Sequence, residues 1–137
     1  LPMGIFCSAC PPRVATVAID RVSDVLGLLV VVAVALAAGG VPVLAHPGLL
    51  DYKTDNQLDE LIGELKKAGI QGVEVYYSGH TPDQTRLYAA LAQRHDLLMT
   101  GGTDFHGSIT PKIQMGSGKG NLFVPLDLYN AIVATRS

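Results

Sequence analysis

"GVEVYYSGHTPDQTRLYAALAQRHDLLMTGG", Gly72 to Gly102, reads as a strand, a helix and a second strand. Gly72–Tyr77 is a short run of β-branched and aromatic residues bounded by turn residues, which is the pattern of a strand. Thr81, Pro82 and Gln84 then mark a helix start. Thr81 is the cap, Pro82 sits in the first turn, and Gln84 has the spacing that completes a capping box. Leu87, Leu91 and their neighbours supply an apolar face. His95 falls at the helix C-terminus, where the dipole favours a cation, and needs no other role. "DLLMTGG", Asp96–Gly102, is the next strand.

The pattern extends in both directions. Upstream, "VPVLAH", Val41–His46, is an apolar run ending at His46-Pro47, as a buried parallel strand would. Between the two lies "TDNQLDELIGELKKAGI", Thr54–Ile70. Thr54 and Gln57 have capping-box spacing, and Leu58, Leu61, Ile62 and Leu65 form one helical face. Lys66 and Lys67 stand where the dipole favours cations, and Gly69 supplies the stop. Downstream, the glycine-rich "MGSGKGNLFVP" leads into a last helix, "PLDLYNAIVATR". Strands alternating with helices through short connections predict an α/β fold with parallel strands and flanking helices.

The chain has 137 residues, 48% hydrophobic and 16% charged, with a net charge of −2. That length suits one domain with a modest core, and the charge gives no electrostatic argument for nucleic-acid binding. Val25–Ala45 contains no charged residue, but Gly39-Gly40 and Pro42 interrupt it. The continuous part, Val25–Ala38, is short for a membrane span and suits a buried helix; a membrane segment is the weaker alternative. No basic region precedes it, which argues against a signal peptide. Cys7 and Cys10 form a single C-x-x-C, read as part of a loose N-terminal segment rather than as a redox or zinc pair. With no disulfide framework, a reducing, cytoplasmic setting is expected. The opening residue, Leu1, suggests a fragment or a processed product.

"TGGTDFHG", Thr100–Gly107, places an aspartate and a histidine two residues apart among glycines, directly after a strand. In parallel α/β folds, chemistry gathers at the carboxyl ends of strands. His46 ends one expected strand, and Asp104 and His106 follow another. Carboxylate oxygen and imidazole nitrogen together suit Zn, Mn or Fe. An extended backbone at D-x-H spacing would point both side chains the same way. The rival readings are a satisfied structural histidine at His46 and a local turn at Asp104 and His106. "GSGKG" lacks the first glycine and the Ser/Thr of a Walker A loop. Lys119 and His80, the latter just after a strand, are candidate substrate contacts.

"GGVPVLAHPG", "GVEVYYSGHTPDQ" and "TGGTDFHG", in that order, resemble the C-terminal part of the PHP family, the polymerase-and-histidinol-phosphatase metal-dependent phosphoesterases. The resemblance implies part of a distorted seven-unit β/α barrel holding up to three divalent metals. It puts metal ligands at His46, Asp104 and His106. Thr103 stands where Ser is common. It implies hydrolysis of phosphomonoesters on nucleotides, such as nucleoside 3′,5′-bisphosphates, or on RNA ends. The family's H-x-H and S-D-G motifs are absent, and its metal glutamate belongs to the part not matched, so Glu74 is set apart as paired or solvated. Residues 1–29 are expected to be an N-terminal segment of unclear role, and 30–137 the C-terminal half of a PHP-like domain. A homo-oligomer is expected, because a partial barrel exposes sheet edges and apolar faces. The alternatives are a catalytically inactive fragment or a membrane-associated or interaction module built on Val25–Ala38.

Overall fold

A computed structural model describes residues 14–17 and 25–135. The Cys7/Cys10 pair lies outside the described residues. Four strands and four helices alternate along the chain: β1 (Val14–Val17), α1 (Val25–Ala37), β2 (Val41–Leu44), α2 (Asp55–Lys67), β3 (Gly72–Tyr77), α3 (Pro82–Arg94), β4 (Leu98–Gly102) and α4 (Leu126–Ala134). The strands form one parallel sheet in the order β1-β2-β3-β4. The sequence reading anticipates each of these strands and helices except β1.

The helix starts form for the reasons their sequences suggest, with one difference. At α3 the box closes fully: the Thr81 hydroxyl accepts from the Gln84 backbone N–H, and the Gln84 side chain accepts from the Thr81 N–H. At α2 the Thr54 hydroxyl accepts from Gln57 N–H, but the Gln57 side chain reaches one residue further back, to Lys53 N–H at 2.9 Å. The box stays half made. The C-terminal end of α3 is tied to α2 at two places. The Lys66 ammonium donates to the Asp96 carbonyl, and Asp59 holds His95 at 2.5 Å and also pairs with Arg94. The hydrogen bond from His95 leads the interactions that hold the Asp59 carboxyl below the usual carboxylate range.

The core lies on one side of the sheet. Leu44, Val73 and Val75 pack with Leu58, Ile62 and Leu65 of α2, Tyr88 and Leu91 of α3, and Val32 of α1. Strand side chains alternate between faces, so Glu74, between Val73 and Val75, turns to the opposite face. A register shift between Glu74 and Tyr76 interrupts the pairing of β3 with β4. Gly101 is required there: a Cβ would lie 2.8 Å from the Tyr76 carbonyl oxygen and 2.7 Å from Val124.

Helix α1 departs from expectation. It is a helix, but not a buried one. Val32 and Ala35 are buried, while Leu29, Val30, Val31, Val34 and Leu36 are exposed, Val34 to 64%. An apolar helix packed on one side of a sheet can bury only the stripe that meets it. With aliphatic residues all round, the rest face outward. Among the described residues no helix is long and apolar enough to cross a membrane.

Candidate functional site

Three side chains predicted as metal ligands meet at the carboxyl ends of β2 and β4. His46 Nε2 lies 3.6 Å from Asp104 Oδ1, and His106 Nδ1 lies 3.5 Å from the same oxygen. His46 has φ 46° and Asp104 has φ 55°, both in the left-handed region. Such conformations cost energy in residues other than glycine and persist where surrounding structure enforces them, commonly at functional sites. The expected extended backbone at Asp104–His106 is therefore not found. A tight turn brings the two side chains together instead, with His106 Nδ1 donating to the Asp104 carbonyl at 2.7 Å. That bond leaves Nε2 as the lone-pair nitrogen of His106.

Glu74, set apart on sequence as paired or solvated rather than as a ligand, is paired here and lies against this cluster. Its Oε2 accepts from the His46 backbone N–H at 3.0 Å and lies 3.5 Å from His46 Nε2. It is 8% exposed. Burial, reinforced by the nearby Asp104 charge, raises its carboxyl to about 7, against the pull of the His46 N–H. The available signal was alternation. A carboxylate between two valines of a buried strand must be accommodated on the other face, and here that face carries the cluster. Burial also lowers the His46 pKa, favouring the neutral ring; Asp104 opposes the shift and His106 adds to it.

The remaining candidates lie close by. Tyr77 stacks obliquely on His46 at 4.9 Å and meets His80 edge-on at 5.1 Å. Burial, with the Asp104 and Glu74 charges, raises the Tyr77 phenol. His80 is held by Val75 O at 3.0 Å through Nδ1 and packs against Tyr88, while its Nε2 is buried without a hydrogen-bond partner. Lys119 is exposed in the glycine-rich turn and forms no ion pair among the described residues.

The donor types fit a divalent cation: imidazole and carboxylate groups lie 3.5–3.6 Å apart, with two carboxylates against one neutral imidazole. Among the described residues, however, no group of three or more such side chains is arranged to hold a metal as it stands.

No family model matches the chain. Individual relatives do. It is 38% identical over 88 residues to a phosphoribosyl 1,2-cyclic phosphate 1,2-diphosphodiesterase of Eggerthella lenta, covering 64% of this chain and 31% of that protein. It is 39% identical over 71 residues to a 3′,5′-nucleoside bisphosphate phosphatase of Chromobacterium violaceum, covering 52% of this chain and 25% of that one. The structure superposes on a Bifidobacterium adolescentis chain designated a metal-dependent phosphoesterase, with a TM-score of 0.61 and 32% identity, covering 80% of this chain and 37% of the other. The resemblance to PHP-type metal-dependent phosphoesterases therefore holds in both sequence and structure, over part of their length. The chain spans between a quarter and two-fifths of the relatives it matches.

Proposed function

We propose that this chain forms part of a PHP-type phosphoesterase that uses divalent metal to hydrolyse phosphomonoesters on nucleotides or RNA ends. The observation that carries the reading is His46 Nε2, placed 3.5 and 3.6 Å from the carboxylates of Glu74 and Asp104. A neutral imidazole facing two carboxylates is a natural cation site. The names of the relatives, a nucleoside bisphosphate phosphatase and a 5′-3′ exoribonuclease among them, support the substrate class. Strand order supports the barrel. An unbroken β1-β2-β3-β4 order with α1 to α3 contributing to one core is the winding of a β/α barrel, whereas a doubly wound sheet reverses its order.

In this reading His46, Asp104 and His106 hold the metal. Glu74 fixes the turn at His46 through the backbone N–H and places a carboxyl, raised to about 7, beneath it. When bound, the metal would acidify a water and neutralise charge on phosphoryl oxygens. Lys119 offers an unpaired ammonium to a phosphate oxygen, and His80 lines the adjoining substrate side. Residues 30–137 act as the C-terminal half of the domain. Three ligands suffice for one metal with open positions, not for a cluster of three. Zn, Mn and Fe all suit the donors.

Full activity in this reading needs ligands beyond these three. The 137-residue chain with Mn²⁺ should release phosphate from a nucleoside 3′,5′-bisphosphate at a rate near the no-enzyme background. A separate polypeptide carrying the family's H-x-H and S-D-G motifs should raise that rate if the two dock. Robust turnover by the chain alone, abolished by Asp104→Asn, would show the site to be complete without help.

The exposed face of α1 and the sheet edges, which pair with no further strand among the described residues, make a homo-oligomer part of the same proposal. Sedimentation at micromolar concentration should show a dimer or larger species, and Val30→Lys/Val34→Lys should shift it to monomer. A monomeric wild-type chain would remove this element and leave the site untouched.

A further inference from the structure

Beside the metal-donor cluster lies a cleft of about 330 Å³ lined by Tyr76, Tyr77, His80, Thr85, Asn121 and Phe123, among others. Its volume lies at the small end of the range of ligand pockets. We infer that this cleft binds the planar heteroaromatic base of a base-bearing phosphoester, and so selects nucleotides over bare sugar phosphates. The inference rests on the function proposed above and adds a specificity determinant to it.

Four observations carry it. First, the cleft and the donor cluster share a wall. Tyr77 lines the cleft, and its ring lies 4.9 Å from the His46 ring. A ligand in the cleft is thus one side chain away from the phosphoryl site. Second, three aromatic residues converge on this small space, and planar rings stack on them without needing a particular edge pattern. Third, Phe123 is 79% exposed although it lines the cleft. A large apolar ring left in water beside a cavity gains by being covered. Fourth, Asn121 is anchored by its Nδ2, which donates to the Ser78 carbonyl at 3.3 Å. Its Oδ1 accepts no hydrogen bond among the described residues and suits an exocyclic amino group. The loop is positioned from below, because Gly118 sits where a Cβ would lie 2.6 Å from Ser78, and φ there is +61°.

Saturation-transfer NMR and tyrosine fluorescence can test this on the 137-residue chain. The probes are adenosine, AMP, ribose 5-phosphate and inorganic phosphate, each with chelator and with Mn²⁺. Adenosine should bind even in chelator. Phe123→Ala should weaken adenosine and AMP by about tenfold, the lower range of a lost base–aromatic stack. Phe123→Trp, which keeps a ring, should retain both. Neither change should alter ribose 5-phosphate, inorganic phosphate or Mn²⁺ binding, and because Phe123 is mostly exposed the fold should survive both. Equal AMP affinity in wild type and Phe123→Ala would overturn the inference. So would AMP binding no tighter than ribose 5-phosphate, or no adenosine binding at all. The two readings fail separately. Phe123-dependent adenosine binding without Mn²⁺ binding would remove the metal reading and keep the cleft; Mn²⁺ binding without adenosine binding would do the reverse.

Discussion

Replacing Asp104 by Asn should lower the affinity for Mn²⁺ or Zn²⁺ by about a hundredfold or more. Loss of a group that merely supports a metal ligand typically costs 10–100-fold, and Asp104 is proposed as a ligand itself. Asn is the informative substitution. Asp104 has φ 55°, and Asn tolerates that left-handed conformation better than most residues, so the charge is removed without straining the turn. Ala would confound the two effects. Isothermal titration of chelator-stripped protein gives the affinity directly. Thermal unfolding gives a second readout, since a ligand at a hundred times its Kd stabilises the folded state by about 2.7 kcal/mol. Mn²⁺ should therefore raise the melting temperature of the wild type and leave Asp104→Asn almost unchanged. His106→Ala should lie on the same side. Equal metal content in the wild type and a His46/Asp104/His106 triple variant would rule out the assignment.

The second large effect concerns the support of the site rather than the site. Tyr88 is fully buried in the middle of α3, and its hydroxyl shares a hydrogen bond of 2.8 Å with that of Tyr52. Its ring meets His80 edge-on at 4.7 Å, and His80 in turn meets Tyr77. Tyr88→Ala should cost about 3–5 kcal/mol, the range for emptying a buried aromatic site. Tyr88→Phe keeps the ring and forfeits the hydroxyl's bonds to Tyr52 and Gln84, so about 1–2 kcal/mol is expected. Urea unfolding of the three proteins measures both differences. A cost below about 1 kcal/mol for Tyr88→Ala would mean that the core collapses into the space and that Tyr88 does not brace His80.

Much of this fold is legible in the sequence because its signals are local. Thr81-Pro82-Asp83-Gln84 carries a helix start in four residues, and Gly69 stops α2 at φ 107°. The same locality explains the failures. His46 and Asp104 take left-handed conformations that no strand or helix pattern in their sequence signals. Glu74 meets His46 across 28 residues, a pairing fixed by sheet register that no window of residues contains. Strand β1 is defined by its pairing with β2 more than by its own pattern. The exposure of α1 was misread because an uncharged helix shows no polar face, so composition alone could not tell which side would be covered. Asp104 and His106 lie 3.5 Å apart through a left-handed turn, where the sequence reading expects an extended backbone.

The strictly sequential strand order has a kinetic consequence. Every strand pairs with the strand one crossover away, so each sheet contact must close a whole β/α unit and none spans more than one. Loop-closure entropy is met in similar small instalments, one β/α unit at a time. Such a chain can assemble by accretion as it leaves the ribosome. Each new unit docks on the edge left by its predecessor, and that edge is open until the next unit covers it. An architecture that grows this way can be lengthened or shortened by whole units without rewiring what is already folded.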